Sequence, residues 1–253
     1  MKVDEATSSG PLSLRERVGV RGRGGRKPSD SSSPLILAFS RREKGQEDPP
    51  SLRAKVLCAA VMSAAFLICY GGCIAITAAR APVPTLAFAW EKRIPFVPAM
   101  IVPYMSIDLF FLGSFFLCTT RLELSTHVKR LALAIGVATT CFVLFPLQMG
   151  SHRPVVEGLW TAWFAQLDRM DRPYNLAPSL HIAQWTILWV VYAHHTRTWL
   201  KVLAALWFAL IYVSTLLTWQ HHVFDVITGQ ALGLLALYCF RERERSPDEQ
   251  PAH

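Results

Sequence analysis

The chain lacks the features that would mark a disulfide framework or a zinc site. Its six cysteines (Cys58, Cys69, Cys73, Cys118, Cys141 and Cys239) fall inside apolar runs with no ligand spacing among them. They read as buried small residues. No third ligand stands at usable spacing from the His and Asp residues, which sets aside a soluble metal hydrolase; neither a metal nor another cofactor is implied. Nothing apolar follows Met1 closely enough to read as a secretory signal. The net charge of +8 comes with 13 of the 26 Lys and Arg residues in the two ends of the chain, 1–50 and 241–253. It reads as the basic flanks of a membrane protein rather than a nucleic-acid surface.

What is present is apolar residue in long runs. The composition is 52% hydrophobic, with mean hydropathy +0.28. The runs are about 20 residues long, the length that crosses a bilayer. Residues 1–50, rich in Ser, Gly, Pro and Arg without period, read as a disordered basic tail. The stretch Pro11-Leu-Ser-Leu-Arg-Glu-Arg-Val-Gly-Val-Arg looks like a translated interspersed bacterial DNA repeat, so the true start is expected downstream. Residues 51–241 form the membrane domain, and 242–253 a short polar C-terminal tail.

Six spans are expected, over about 54–79, 97–119, 131–149, 179–193, 199–218 and 223–240: an all-α, polytopic six-transmembrane-helix bundle. Pro95, Pro98 and Pro103 are expected to break or kink the second span. Arg121–Arg130 reads as a polar loop, and Trp160-Thr-Ala-Trp-Phe164 as a segment lying flat in the interface. Six spans return both termini to one side. Basic residues in the N-terminal tail, the 121–130 loop, the 194–201 turn and the C-terminus make that side cytoplasmic. The setting is then a bacterial inner membrane. The 150–178 loop, the start of span four and the junction of spans five and six share the opposite, extracytoplasmic face.

That face collects the chemistry. Asn175-Leu-Ala-Pro-Ser-Leu-His181 and Thr218-Trp-Gln-His-His-Val-Phe-Asp225 each set a histidine at the edge of an apolar run. Asp225, four residues after His221, shares its helix face and can hold the imidazole in one tautomer. A histidine so held is a nucleophile, and His181 can protonate a leaving group. Ser179 caps a helix whose first N–H groups, at Ser179 and Leu180, can hold an anion. Arg153 and Arg172, with Arg169 beside them, can clamp a phosphoryl group. Against this, His221 and Asp225 can simply stitch two helices together, and His222, on another helix face, reads as interfacial. Gly229-x-x-x-Gly233 permits close helix packing and no more. Asp108, inside an apolar run, is expected to face protein or water.

Pro178-Ser-Leu-His181 with His221-x-x-x-Asp225-x-x-x-Gly229 resembles the type 2 phosphatidic acid phosphatase superfamily. The similarity is to its inositolphosphorylceramide synthase-like, inositolphosphotransferase branch. Arg153-Pro154, Pro173-Tyr-Asn175, Ile94-Pro-Phe-Val-Pro98 and Tyr104-Met-Ser-Ile-Asp108 extend the resemblance over roughly 90–240. The resemblance implies a six-helix bundle, a phosphohistidine at His221 oriented by Asp225, acid–base work by His181, phosphate binding by Arg153, and no metal. The superfamily's usual extra cations are missing: Pro146, Ser214-Thr215 and Trp219 stand in their places, and Arg172 or Arg169 is left to compensate. The reading is a membrane enzyme acting on a lipid phosphate or phosphodiester, as a phosphatase or a head-group phosphotransferase. The competing class is a non-catalytic scaffold or a proton-relay transporter. A relay spreads polar residues through the membrane depth, whereas these lie on one face apart from Asp108 and Gln230.

Overall fold

A computed structural model describes residues 48–80, 83–150, 153–172 and 174–241. The basic tail, with its repeat-like segment, and the C-terminal residues 242–253 lie outside the described residues, apart from 48–50. The described chain is helical, without strands. Helix α1 (Leu52–Ala78) starts at Ser51, whose hydroxyl accepts the Ala54 N–H. It buries only Ala59, Met62, Cys73 and Thr77. Its other face is apolar and open, with Leu57 64% and Ile68 73% exposed. Such a face suits lipid and not water.

The prolines of the second span are placed where they do no harm. Pro95 and Pro98 precede α2 (Ile101–Leu117), Pro98 opening a single 3-10 turn over Pro98–Met100. Pro103 sits in the first turn of α2, where its missing N–H has no helical partner to lose. The expected break is therefore a helix start.

The polar loop expected over Arg121–Arg130 is instead the beginning of α3 (Arg121–Leu144). Thr120 accepts the Glu123 N–H, and the Glu123 carboxylate reaches back to the N–H and hydroxyl of Thr119. The polar side chains then turn inward. His127 Nε2 lies 2.7 Å from Ser114 Oγ, Arg130 donates to the Phe240 carbonyl at 3.0 Å, and Glu123 pairs with His195. These contacts gather the starts and ends of four helices at one end of the bundle.

The short helix α4 (Thr161–Met170) follows a 3-10 turn over Gly158–Trp160. Of the segment expected in the interface, Phe164 is buried, with Leu167, against Ile101 and Tyr104, while Trp163 stays exposed. Helix α5 (Leu180–His195) is the hub, touching α2, α3, α6 (Thr198–Leu217) and α7 (Val223–Cys239). The segments Leu52–Ala78, Pro98–Leu117, Arg121–Leu144 and Thr198–Leu217 are long and apolar enough to cross a membrane, and Val223–Cys239 is a shorter apolar helix. With α5 they make the all-α membrane bundle of six main helices.

The cysteines need a correction. All six thiols are free, but only Cys73 and Cys118 are buried, and Cys239 is exposed. An apolar run in a membrane helix has an outward face, so membership of the run does not imply burial.

Candidate active site

Two glycines bring the histidines together. A Cβ at Gly229 would lie 2.4 Å from the Ser179 carbonyl oxygen, and one at Gly233 would lie 2.5 Å from Thr186 Cβ. Without them α7 lies directly on the start of α5, and the Ser179 N–H donates to the Asp225 carbonyl at 3.0 Å. The turn before α7 is equally tight. Trp219 takes a left-handed φ of 52°, and the N–H groups of Gln220 and His221 both donate to the Thr215 carbonyl at 3.1 Å.

Asp225 is fully buried and His221 nearly so. Asp225 Oδ2 accepts the His222 N–H at 2.7 Å and lies 3.7 Å from His221 Nδ1. The contact to the ring is longer than a hydrogen bond. Asp225 thus caps α7 and faces the imidazole at once. Asp225 Oδ1 and His221 Nδ1 have no hydrogen-bond partner among the described residues. With Nδ1 turned to Asp225, Nε2 is the ring atom left for a substrate.

His222, expected at the interface, is buried. The Gly150 N–H donates to its Nε2 at 3.2 Å, which puts the ring proton on Nδ1, 2.6 Å from Glu91 Oε2. Glu91 Oε1 also accepts the N–H groups of Phe88, at 3.1 Å, and Val223, at 3.4 Å. His222 and Glu91 therefore tie two loops to the start of α7. Nothing in sequence spacing joins residues 91, 150 and 222.

Two cavities meet at His221. One, of about 190 Å³, is mostly apolar and lies between α1, α2 and α5; Phe66, Leu67, Met105 and Leu180 line it, with His181, Asp108 and Gln184 as polar members. The other, of about 230 Å³, is half polar, lined by Arg153, Asp168, Arg172 and Gln220 together with Met149, Leu176 and Trp219. Tyr70, Asp171 and His221 border both.

The expected residues divide accordingly. His181 stacks on Tyr104 (centroids 4.4 Å apart, planes at 18°), and its Nε2 is buried without a partner among the described residues. Arg153 lines the polar cavity, ion-paired with Asp168 and 4.9 Å over the Phe164 ring. Arg172 lines the same cavity, whereas Arg169 borders neither. Leu180 borders the apolar cavity. Ser179 is corrected: it is fully buried, its hydroxyl accepts the Ile182 N–H and its own N–H is given to Asp225. It locks the two helices instead of offering an anion site.

Sequence reasoning missed Tyr70 and Asp171. The Tyr70 hydroxyl donates to Asp171 Oδ1 at 2.7 Å, and Asn175, left-handed at φ 60°, donates from Nδ2 to the Tyr70 carbonyl at 3.0 Å. Burial pushes the Asp171 carboxyl up to about 6, against the opposing pull of the Tyr70 hydrogen bond, His221, the Arg172 N–H and Arg153. Tyr70 sits in an apolar span with no motif around it. Asp171 was visible only as the neighbour of an arginine.

No protein-family model, curated protein or solved structure matches the chain.

Proposed function

We propose that the protein is a membrane-embedded phosphatase or phosphotransferase acting on a lipid phosphate or phosphodiester, with the chemistry suggested by its resemblance to the type 2 phosphatidic acid phosphatase superfamily. The observation that carries this reading is the meeting of an apolar and a polar cavity at His221, with Asp225 behind its Nδ1. An amphiphile with a phosphate at its polar end matches that pair of spaces: chains in one, head group in the other.

In the first step His221 Nε2 attacks phosphorus and the bond to the leaving oxygen breaks. His181 gives that oxygen its proton, and Arg153 takes the charge that grows on the phosphoryl oxygens. A phosphohistidine results, its Nδ1–H facing Asp225. In the second step an incoming hydroxyl loses its proton to His181, its oxygen attacks phosphorus, and the P–N bond breaks. Water as acceptor yields a phosphatase, and an alcohol such as inositol a head-group transferase. The site lies at the end of the bundle away from Glu123, Arg130 and His195. With the basic segments at that other end taken as cytoplasmic, the chemistry is extracytoplasmic.

The test is phosphate release from a panel of lipid phosphates by detergent-purified protein, wild type beside His221→Ala, with inositol and other alcohols added in parallel and products identified by mass. Release or exchange that depends on His221 supports the reading. Folded protein without either activity sinks it and leaves the His221–Asp225 pair as a structural stitch or a relay.

A further inference from the structure

The phosphate end of the site is short of positive charge. The polar cavity holds two arginines, Arg153 and Arg172, and two aspartates, Asp168 and Asp171. Arg153 is already ion-paired with Asp168. Asp171 has no ion-pair partner among the described residues. Its hydrogen bond from Tyr70, at 2.7 Å, holds it at the boundary of the two cavities, where His221 also stands. The groups that act on it electrostatically are Tyr70 from α1, Tyr104 from α2, Arg153 from the loop before α4, the backbone N–H of Arg172 and His221 from the turn before α7. None of these neutralises it as a close ion pair. A carboxylate next to the attacking histidine repels a phosphoryl group, and repels a doubly charged one more. A site built for phosphate monoesters, whose second ionisation lies at about 6 and is mostly complete at neutral pH, needs more cations than carboxylates, whereas here the two are equal in number.

We propose, resting on the phosphoryl-transfer reading above, that Asp171 selects the charge of the donor: it admits a phosphodiester, with one negative charge, and disfavours a phosphomonoester, with two. The polyanionic end product of simple hydrolysis is disfavoured by the same carboxylate. Asp171 is in this sense a specificity residue in contact with the phosphoryl group, and Tyr70 is the positioning residue that holds it there.

The experiment compares two lipids differing by one methyl group, dioctanoyl phosphatidic acid and dioctanoyl phosphatidylmethanol. Binding to the full-length, detergent-purified chain is measured by calorimetry at pH 7.5 in the His221→Ala background, where neither can turn over. Phosphatidylmethanol is expected to bind at least about tenfold more tightly, and Asp171→Asn, whose side-chain oxygen still accepts from Tyr70, to bring the two within about threefold. Tyr70→Phe keeps the carboxylate and removes its anchor, so the preference should shrink but keep its direction. Equal affinities with Asp171 present overturn the proposal, and so does a preference that Asp171→Asn leaves intact. A preference unchanged in Tyr70→Phe overturns the positioning role given to Tyr70. In protein with His221, kcat/KM for the two lipids should show the same shift. Absence of any His221-dependent turnover defeats phosphoryl transfer, while the binding ratio still decides Asp171; no binding of either lipid defeats both.

Discussion

Asp225 divides its carboxylate between the His222 N–H, at 2.7 Å, and His221 Nδ1, at 3.7 Å. The two roles separate by mutation. Asp225→Asn keeps an oxygen for the cap, so the thermal midpoint in detergent should change little, while turnover falls by roughly 10²- to 10⁴-fold as tautomer control is lost. Asp225→Ala removes the cap as well and should cost about 0.5–2 kcal/mol of stability. His221→Ala should lower turnover by about 10⁴-fold or more with the fold retained. Asp171 makes a prediction of the opposite sign. Its folded pKa of about 6 lies above the ordinary 3.8, so the folded state resists ionisation. Stability therefore falls as pH rises through that window, and the penalty is complete above it. Asp171→Asn should accordingly melt at a higher temperature than wild type at pH 7.5, and the advantage should vanish below about pH 4. A variant less stable than wild type at pH 7.5 would show that the carboxylate is stabilised by something else.

Among the elements, α5 and α7 form the framework of the site, and their contact is made by backbone. The Gly229 position faces the Ser179 carbonyl, which cannot rotate away as a side chain can. Gly229→Ala should therefore destabilise by about 1–3 kcal/mol and impair turnover together. Gly136 in α3 is the control: nothing lies within 4 Å of a Cβ there. Gly136→Ala should leave activity alone and raise stability by about 0.5–1 kcal/mol, read from thermal unfolding in detergent. These helices also show what the sequence made legible. The run lengths placed five of the six main helices, and the Pro178-Ser-Leu-His181 and His221–Asp225 motifs placed the starts of α5 and α7, because capping and hydropathy are local; the third span, expected over 131–149, is α3 at Arg121–Leu144. The start of α3 is legible in Thr120-x-x-Glu123, a local capping signal, but the polar residues behind it read as a loop because Ser114, His195 and Phe240, which satisfy them, lie on other helices. The His222–Glu91 strap and the Tyr70–Asp171 pair were missed for the same reason. Each is a pairing of two unremarkable residues that only the tertiary fold brings together.

At the scale of the whole molecule, polar groups collect at the two ends of the bundle and do different work. One end holds Glu123, His127, Arg130 and His195 in mutual contacts with other helices, and the other holds the cavities. With the first end cytoplasmic, a tag after His253 should be shielded from protease added to intact cells and cut once the membrane is opened; cutting from outside would invert the orientation. The apolar cavity between α1 and α2 carries a further consequence. Phe66 and Leu67 on one side and Met105 on the other bring a lipid-facing surface up to His181 and His221. A substrate using that space keeps its chains among other chains while its head group reacts. Encounter is then a collision in two dimensions, and the concentration that matters is a mole fraction in the bilayer. Diluting the substrate with inert lipid at fixed bulk amount should slow the reaction, while adding buffer to the same vesicles should not.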